Sequence, residues 1–154
     1  MKFFKVVLLA LCLFGAQQVL AQTKPAPVKF KPPKLFTQMG GFRDSVTLTV
    51  TEAENIIDQP LKIFDDKKGA YSISSYQFIY RRKVVTEDEE TGKAIPANSM
   101  VAGTFKVSPL PAIWINSVKE QVRPGEEFYF FDIIAKDAQG RVMYAPDFKV
   151  KVVM

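Results

Sequence analysis

The sequence predicts a mostly β domain, sandwich-like and antiparallel, with one short α-helix. Residues 45–51 alternate apolar residues with threonines at the period of a half-buried strand. Residues 71–85 and 126–136 are longer runs rich in aromatic and β-branched side chains, which favour strands. Turn residues bracket the last run, with Pro and Gly before it and Gly after it. We therefore expect one packed β-rich domain over residues 41–154.

The N-terminal residues predict a signal peptide over residues 1–21. Lys2 and Lys5 flank the start of an apolar run at residues 6–14, and small residues follow at the expected cleavage site. We expect export to the periplasm, cleavage of this signal and no integral membrane span in the mature chain.

Residues 22–40 are predicted to form a flexible tail, because prolines and lysines are interspersed there with little apolar sequence to bury. The formal net charge is +5, and removal of Lys2 and Lys5 leaves +3, much of it in this tail. Together with export, this mild positive charge argues against nucleic acid as a partner.

The composition excludes several kinds of catalytic site. The chain has one cysteine, Cys12, which lies inside the predicted signal, and no histidine. The cleaved chain would therefore lack the groups for a disulfide, for serine–histidine or cysteine–histidine catalysis and for a Cys/His zinc site. We expect no catalytic residue, no metal and no cofactor.

The strand at residues 45–51 is expected to turn Val46, Leu48 and Val50 inward. A loop is predicted after it, at residues 55–60.

A short strand at residues 61–64 and a polar turn at residues 65–69 lead into the long strand at residues 71–85. Alternation places Tyr76 and Tyr80 on the same side of this strand. A charged loop over residues 86–98 and a return strand over residues 100–107 are predicted next.

The predicted helix begins at Ser108, a good N-cap residue, with Pro109 in its first position. Its apolar face comprises Leu110, Ile113, Trp114 and Val118. Trp114 is expected in the core, although residues 113–115 also fit a strand. A last strand is predicted over residues 146–152.

The strand at residues 126–136 is apolar on both faces. Phe128 and Phe130 point to one side, and Tyr129 and Phe131 point to the other. Such a strand is either covered on both faces or exposes a face to a partner. We expect the first pair in the core and take the second pair as candidate contacts.

The acidic run at residues 87–90 is a candidate calcium loop. Gly92 fits the glycine of such a loop, but Asn98 stands where a ligating glutamate is required. A solvated hairpin tip is therefore favoured.

Two further charged groups have alternative interpretations. Glu126 and Asp132 are expected on one face, as a glycosidase-like pair requires, but solubilising charges at the strand ends are favoured. The basic residues 81–83 could bind an anionic glycan or lipid beside Tyr80. Pairing with acids on a neighbouring strand is favoured, and residues 87–90 are close enough in sequence.

Several segments carry a family resemblance. They are residues 71–78 (YSISSYQF), Ser108-Pro109 before a short apolar stretch, residues 123–136 (RPGEEFYFFDIIAK) and residues 137–141 (DAQGR). In this order they resemble the C-terminal domain of the GldM (PorM) family of gliding-motility and type IX secretion proteins.

The resemblance implies a periplasmic, mostly β domain of a Bacteroidetes-type bacterium. In that family the domain contacts other proteins at the outer-membrane end of a dimeric shaft and carries no catalytic residue. The predicted cleaved signal stands where the family has a motor-coupling membrane helix, so no motor function is implied.

The sequence therefore predicts a non-catalytic periplasmic interaction or adaptor protein that serves type IX secretion, gliding or envelope assembly. The expected partner is a protein in the periplasm or at the outer membrane, and a homodimer is also expected. The predicted contact residues are Tyr76, Tyr80, Tyr129 and Phe131, acting by strand addition or shape fit. An Ig-like carbohydrate-binding or adhesion module is the first alternative, and a carboxylate-only hydrolase is the second.

Overall fold

The structure is a computed structural model that describes residues 30–154. Nine strands and two helices form this part of the chain. The strands are β1 (Leu35–Met39), β2 (Phe42–Arg43), β3 (Ser45–Thr49), β4 (Lys62–Asp65), β5 (Ala70–Glu87), β6 (Ala94–Phe105), β7 (Glu127–Lys136), β8 (Val142–Ala145) and β9 (Phe148–Val153). The helices are α1 (Val50–Ile56), between β3 and β4, and α2 (Ala112–Gln121), between β6 and β7.

All nine strands belong to one sheet in the order β2-β1-β4-β5-β7-β9-β3, with β6 beside β5 and β8 beside β7. Every pair is antiparallel except β3 with β9, which is parallel. The prediction of a mostly β fold with a short helix is confirmed. The prediction of a purely antiparallel sheet is wrong at this one pair, which a long intervening chain makes possible.

The sheet bends along its two central strands. β5 pairs with β4 and then with β6, whereas β7 pairs with β9 and then with β8. Register shifts between Ile73 and Gln77 and a positive φ of 47° at Asp132 bend β5 and β7. Only Asp44 separates β2 from β3, the two ends of the strand order, so the sheet nearly closes on itself. The sandwich prediction thus holds only in part, because one curled sheet encloses the core.

Aromatic rings fill the inner face of this curled sheet. The fully buried rings are those of Tyr76, Phe78, Tyr80, Phe128, Phe130 and Phe148. The rings of Phe78 and Phe130 lie 5.1 Å apart, and Trp114 of α2 packs edge-on to Phe78 at 5.9 Å between centroids. The core positions predicted for Phe128 and Phe130 are therefore confirmed, and α2 covers this face as expected.

Helix α1 replaces the end of the predicted strand at residues 45–51 and the first two residues of the predicted loop at residues 55–60, whereas residues 57–60 lie outside helices and strands as predicted. The hydroxyl of Thr49 accepts a hydrogen bond from the Glu52 N–H at 3.4 Å, and the Glu52 carboxylate accepts one from the Thr49 N–H at 2.8 Å. This capping box starts the helix at the residue after Thr49. Leu48 is buried, as predicted for the strand that precedes it.

Helix α2 starts later than predicted. Its N-cap is Pro111, which makes no side-chain capping bond, whereas the Ser108 hydroxyl accepts a hydrogen bond from the Leu61 N–H at 2.7 Å. The prediction that Ser108 caps the helix is wrong, because this hydroxyl ties the chain to β4 instead. Val118 is buried but Ile113 is 76% exposed, so the apolar face is narrower than predicted. The strand alternative for this segment is wrong.

Strand β1 corrects the predicted tail at residues 22–40. Leu35, Thr37 and Met39 are buried, and the Thr37 hydroxyl donates a hydrogen bond to the Pro146 carbonyl at 2.5 Å. The alternating residues after the prolines are enough to form a strand once β4 supplies a partner. The earlier part of the predicted tail and the predicted signal peptide lie outside the described residues.

The hairpin of β5 and β6 is longer than predicted. β6 already begins at Ala94, so the predicted loop at residues 86–98 shrinks to a turn over residues 88–93. The short strand predicted at residues 61–64 and the turn at residues 65–69 are confirmed within one or two residues. Strand β8 was not predicted, because four residues carry too little alternation to stand out.

Candidate functional site

Two of the four predicted contact residues lie in the core. Tyr76 and Tyr80 are each 1% exposed. The Tyr76 hydroxyl donates a hydrogen bond to the Val107 carbonyl at 2.8 Å, and the Tyr80 hydroxyl donates one to Glu126 Oε2 at 2.5 Å. Both residues share the inward phase of β5 with Phe78. The prediction that they contact a partner is therefore wrong.

Glu126 is a buried carboxylate that is satisfied by three donors. It is 2% exposed, and besides the Tyr80 hydroxyl it accepts the backbone N–H groups of Lys83 and Arg123, each at 3.0 Å. Gly125 adopts a φ of 87°, which glycine tolerates and which turns the chain back so that the carboxylate reaches Arg123. Glu126 thus fastens the start of β7 to β5.

The carboxylate pair considered for a hydrolase is not formed. Glu126 is buried, whereas Asp132 is exposed and accepts a hydrogen bond from Gln77 Nε2 at 2.7 Å. The positive φ at Asp132 interrupts the alternation of β7, so the prediction that both carboxylates share a face is wrong. A glycosidase-like pair needs both groups beside one scissile bond, so this geometry gives the hydrolase alternative no support.

The side chains of four neighbouring strands that point away from the core form a surface that we call the outer face. It comprises Gln77, Ile79, Arg81, Lys83, Asn98, Met100, Ala102, Glu127, Tyr129, Phe131, Lys149 and Lys151. Tyr129 and Phe131, the other two predicted contact residues, belong to it and are partly exposed. Helix α2 packs on the opposite, inner face through Trp114.

Tyr129 lies between two cations. The cross-strand neighbours of its backbone are Ile79 on β5 and Lys149 on β9. The Arg81 guanidinium carbon and the Lys149 Nζ each lie 5.0 Å from the centre of its ring, within the range of cation–π attraction. The ring is therefore flanked by positive charge from both neighbouring strands.

Glu127 joins the same cluster. Its Oε1 accepts hydrogen bonds from Arg81 Nη1 and from the Tyr129 hydroxyl, each at 2.9 Å, and its Oε2 lies 2.7 Å from Lys149 Nζ. The hydrogen bond from Lys149, helped by those from Tyr129 and Arg81, holds the pKa of Glu127 below its ordinary value of 4.5. Burial and then the Glu127 carboxylate raise the pKa of the Tyr129 hydroxyl. Glu127 is thus ionised at neutral pH, and the Tyr129 hydroxyl keeps the proton that it donates to Glu127.

A cleft of about 470 Å³ opens beside this cluster. Its lining comprises Ser45, Ile79, Arg81, Tyr129, Phe131, Asp147 and Lys149. The lining thus combines three apolar or aromatic side chains with four polar or charged ones, which can contact both apolar and charged groups of a ligand.

The outer face carries more positive than negative charge. Arg81, Lys83, Lys149 and Lys151 belong to it, and its carboxylates are Glu127, Asp147 at the cleft and Asp132, which binds Gln77. Exposed cations attract anionic groups of a partner and steer their approach, most strongly at low salt.

The basic residues 81–83 divide between the two faces. Arg81 pairs with Glu127 on the neighbouring strand, as the favoured interpretation predicts, but the acids at residues 87–90 are not its partners. Arg82 points to the other side and donates to Gln121 Oε1. Lys149 was not predicted, although the alternation of lysines with buried residues in the last strand could have placed it on the exposed side of that strand.

The acidic run at residues 87–90 lies at the exposed turn between β5 and β6. This is the solvated hairpin tip that the sequence favours over a calcium loop. The Asp88 carboxylate accepts hydrogen bonds from the Thr91 N–H and the Thr91 hydroxyl, each at 2.8 Å, and from the Glu90 N–H at 3.1 Å. These local bonds occupy one oxygen of Asp88 and hold the turn closed.

Among residues 30–154, no group of three or more His, Cys, Asp or Glu side chains is placed to hold a metal ion. Within the same part of the chain, no helix has the length and apolar character needed to cross a membrane. A scan of the whole sequence against models of known families finds no match, and a search of curated proteins finds no relative.

Proposed function

We propose that this chain is a non-catalytic protein-interaction module of the bacterial cell envelope and that its outer face binds an acidic segment of a partner protein. The observation that carries the proposal is the Tyr129 ring between Arg81 and Lys149, beside an open cleft. An aromatic anchor with arginine close by is the composition typical of residues that dominate protein interfaces.

Electrostatics favours an acidic partner. Glu127 already pairs with Arg81 and with Lys149, so the cluster is held in place without a ligand. Pre-ordered side chains lose little conformational entropy on binding, which favours affinity. Lys83 and Lys151 lie beside the cluster on the same face and add positive charge that Glu127 does not balance.

The same geometry makes a neutral sugar a weaker candidate. Stacking of a sugar ring requires a free aromatic face, and the Tyr129 ring has a cation near it from each neighbouring strand. Placement in the envelope rests on the predicted signal at residues 1–21, and the link to secretion or gliding rests on the resemblance to the GldM family. Export also argues against nucleic acid as the anionic partner.

Protein capture from envelope extract tests the proposal. The purified full chain is immobilised beside an Arg81→Gln/Lys149→Gln variant and a Lys67→Gln/Lys68→Gln control, which loses the same charge in the exposed turn before β5. We expect the wild type and the control to retain the same protein at low salt. The outer-face variant should retain it at least about tenfold more weakly, and added salt should release it.

Circular dichroism confirms that each variant is folded before binding is compared. Equal retention by the outer-face variant and the wild type would overturn the proposal, and so would the absence of any specifically retained protein.

A carbohydrate-binding module remains the second candidate, because Phe131 offers a partly exposed ring at the edge of the cleft. This function predicts retention of the wild type on peptidoglycan or an acidic polysaccharide and loss of retention in Phe131→Ser. If the wild type is retained on peptidoglycan or the acidic polysaccharide and captures no protein partner, the carbohydrate-binding function is favoured over the protein-binding one.

A further inference from the structure

Strand β6 has one edge without a partner. It pairs with β5 along its whole length, and in the described part of the chain no other strand pairs with it. Its 12 residues include no charged side chain, and Pro96 is its only proline. Natural edge strands are usually short, or carry charges or prolines that prevent pairing with another chain. β6 is therefore a long edge with little protection against strand addition.

The same strand exposes apolar side chains. Met100 is 60% exposed on the outer face, and Ile95 is 45% exposed in the part of the hairpin that extends towards the acidic turn. Met100 and Ile95 have opposite phases along β6, so they lie on opposite faces. A second strand beside β6 would cover both.

We propose that β6 pairs antiparallel with β6 of a second copy of the chain, with Met100 at the two-fold axis. This register sets the two Met100 side chains against each other on the outer face. It also sets Ile95 of each copy opposite Phe105 of the other copy, on the inner face. Self-pairing of an uncharged strand opposes no like charges within the paired segment.

Charge complementarity favours this antiparallel arrangement. The acidic turn at the start of β6 carries the four acids of residues 87–90 and one cation, Lys93, so it is net negative, whereas Lys106 follows the end of β6. Lys62 and Lys106 line one surface groove of about 330 Å³ at that end. Antiparallel pairing brings the acidic turn of each copy towards Lys62 and Lys106 of the other, whereas parallel pairing would bring the two acidic turns together.

The pairing joins the two sheets at β6 and sets the two outer faces side by side. A partner with two acidic segments would then bind the dimer more tightly than one copy, by effective concentration alone. The dimer itself does not depend on the proposed function, since the cluster around Tyr129 lies on β5, β7 and β9 and not on β6.

The oligomeric state of the purified full chain tests the inference. Light scattering and sedimentation equilibrium are measured over low to high micromolar concentration for the wild type, Met100→Lys, Met100→Glu and the control Val142→Lys. Val142 is an exposed apolar residue of β8, 57% exposed, so the control makes the same chemical change away from β6.

We expect the wild type and Val142→Lys to have twice the mass of the chain. Met100→Lys and Met100→Glu should each dissociate at least about tenfold more readily, because two like charges meet at the axis. An equimolar mixture of these two variants should recover the dimer, since opposite charges then meet. Hydrogen exchange of the β6 amides that point away from β5 should be slow in the wild type and fast in Met100→Lys.

A wild type that stays monomeric over the whole range would overturn the inference, and so would a Met100→Lys variant that dimerises as strongly as the wild type. Thermal unfolding of each variant shows whether it is folded. An Arg81→Gln/Lys149→Gln variant that stays dimeric but no longer retains the envelope protein would separate this inference from the proposed function.

Discussion

Glu126 and Glu127 are neighbours in sequence, yet they have opposite roles. Glu126, just before β7, points into the interior, where three donors surround it, and Glu127, the first residue of β7, points out to the cluster around Tyr129. The buried carboxylate joins two strands and a turn, so its contribution is structural. The outer carboxylate orders cations on a surface that is open to a partner.

Substitution of Glu126 by Gln is expected to destabilise the fold. The amide nitrogen would face donors that now bind a carboxylate oxygen, and one of the buried groups from Tyr80, Lys83 or Arg123 would lose its acceptor. The expected loss in the free energy of unfolding is about 1–3 kcal/mol, measured by urea denaturation.

The matched control is Glu120→Gln on the exposed side of α2, which should change stability by less than about 0.5 kcal/mol. Equal stability of the Glu126→Gln variant and the wild type would show that the buried carboxylate is not needed to hold β7 to β5.

At the scale of elements, the contact between β6 and α2 depends on a residue without a side chain. A Cβ atom at Gly103 would lie 2.8 Å from the Phe105 ring and 3.0 Å from the Trp114 ring. Gly103 therefore allows α2 to approach the sheet closely enough for Trp114 to pack on Phe78 and Phe105.

We expect Gly103→Ala to cost about 1–3 kcal/mol of stability through overpacking. Trp114 is the only tryptophan of the chain, so its fluorescence reports this contact directly. Its emission should shift to longer wavelength as the ring is displaced towards water. Thr104→Ala, on the exposed side of the same strand, is the control and should leave the emission unchanged. An unshifted emission in Gly103→Ala would contradict the close approach described for α2.

At the scale of the whole molecule, the buried tyrosines couple folding to alkaline pH. Burial raises the pKa of Tyr76 from 10.0 to about 12. Burial, helped by the hydrogen bond to Glu126, raises the pKa of Tyr80 further. The folded chain holds these protons more tightly than the unfolded chain. Below the unfolded pKa both states keep the protons, so these tyrosines do not change the free energy of unfolding. As the pH rises from the unfolded pKa through the folded pKa, the unfolded state loses its protons first and stability falls.

The free energy of unfolding should therefore fall between pH 10 and pH 12 by about 1.4 kcal/mol per pH unit for each such tyrosine. Denaturant titrations at fixed pH values measure this slope. The Tyr76→Phe variant has no phenolic proton at this position. Its free energy of unfolding should therefore fall less steeply with pH, by the contribution of one tyrosine. Identical slopes in the variant and the wild type would contradict the assignment to Tyr76.

Local patterns in the sequence predict much of the sheet. The period-two alternation of β5 and β7 depends only on neighbouring residues, and it correctly predicts Phe128 and Phe130 in the core. Helix α1 was missed, although Thr49 and Glu52 form a capping box that can be read from the sequence. β1 was missed because its five residues are stable only when β4 supplies hydrogen bonds.

The candidate site was predictable only in part. Tyr129 and Phe131 were assigned to an exposed face, but Tyr76 and Tyr80 were chosen as contacts because aromatic residues alone do not show which face of β5 is covered. Lys149 was not considered, since nothing in its immediate neighbours indicates that β9 lies beside β7.

The sequence by itself thus determines where the strands run and which residues alternate along each, because these depend on side chains close together in the chain. Only the tertiary structure decides which strands are neighbours, which face the helix α2 covers and which edge stays open. The cluster of Arg81, Glu127 and Lys149 around Tyr129 and the free edge of β6 are consequences of strand order. Strand order depends on the packing of the whole core, so it cannot be read from any one segment.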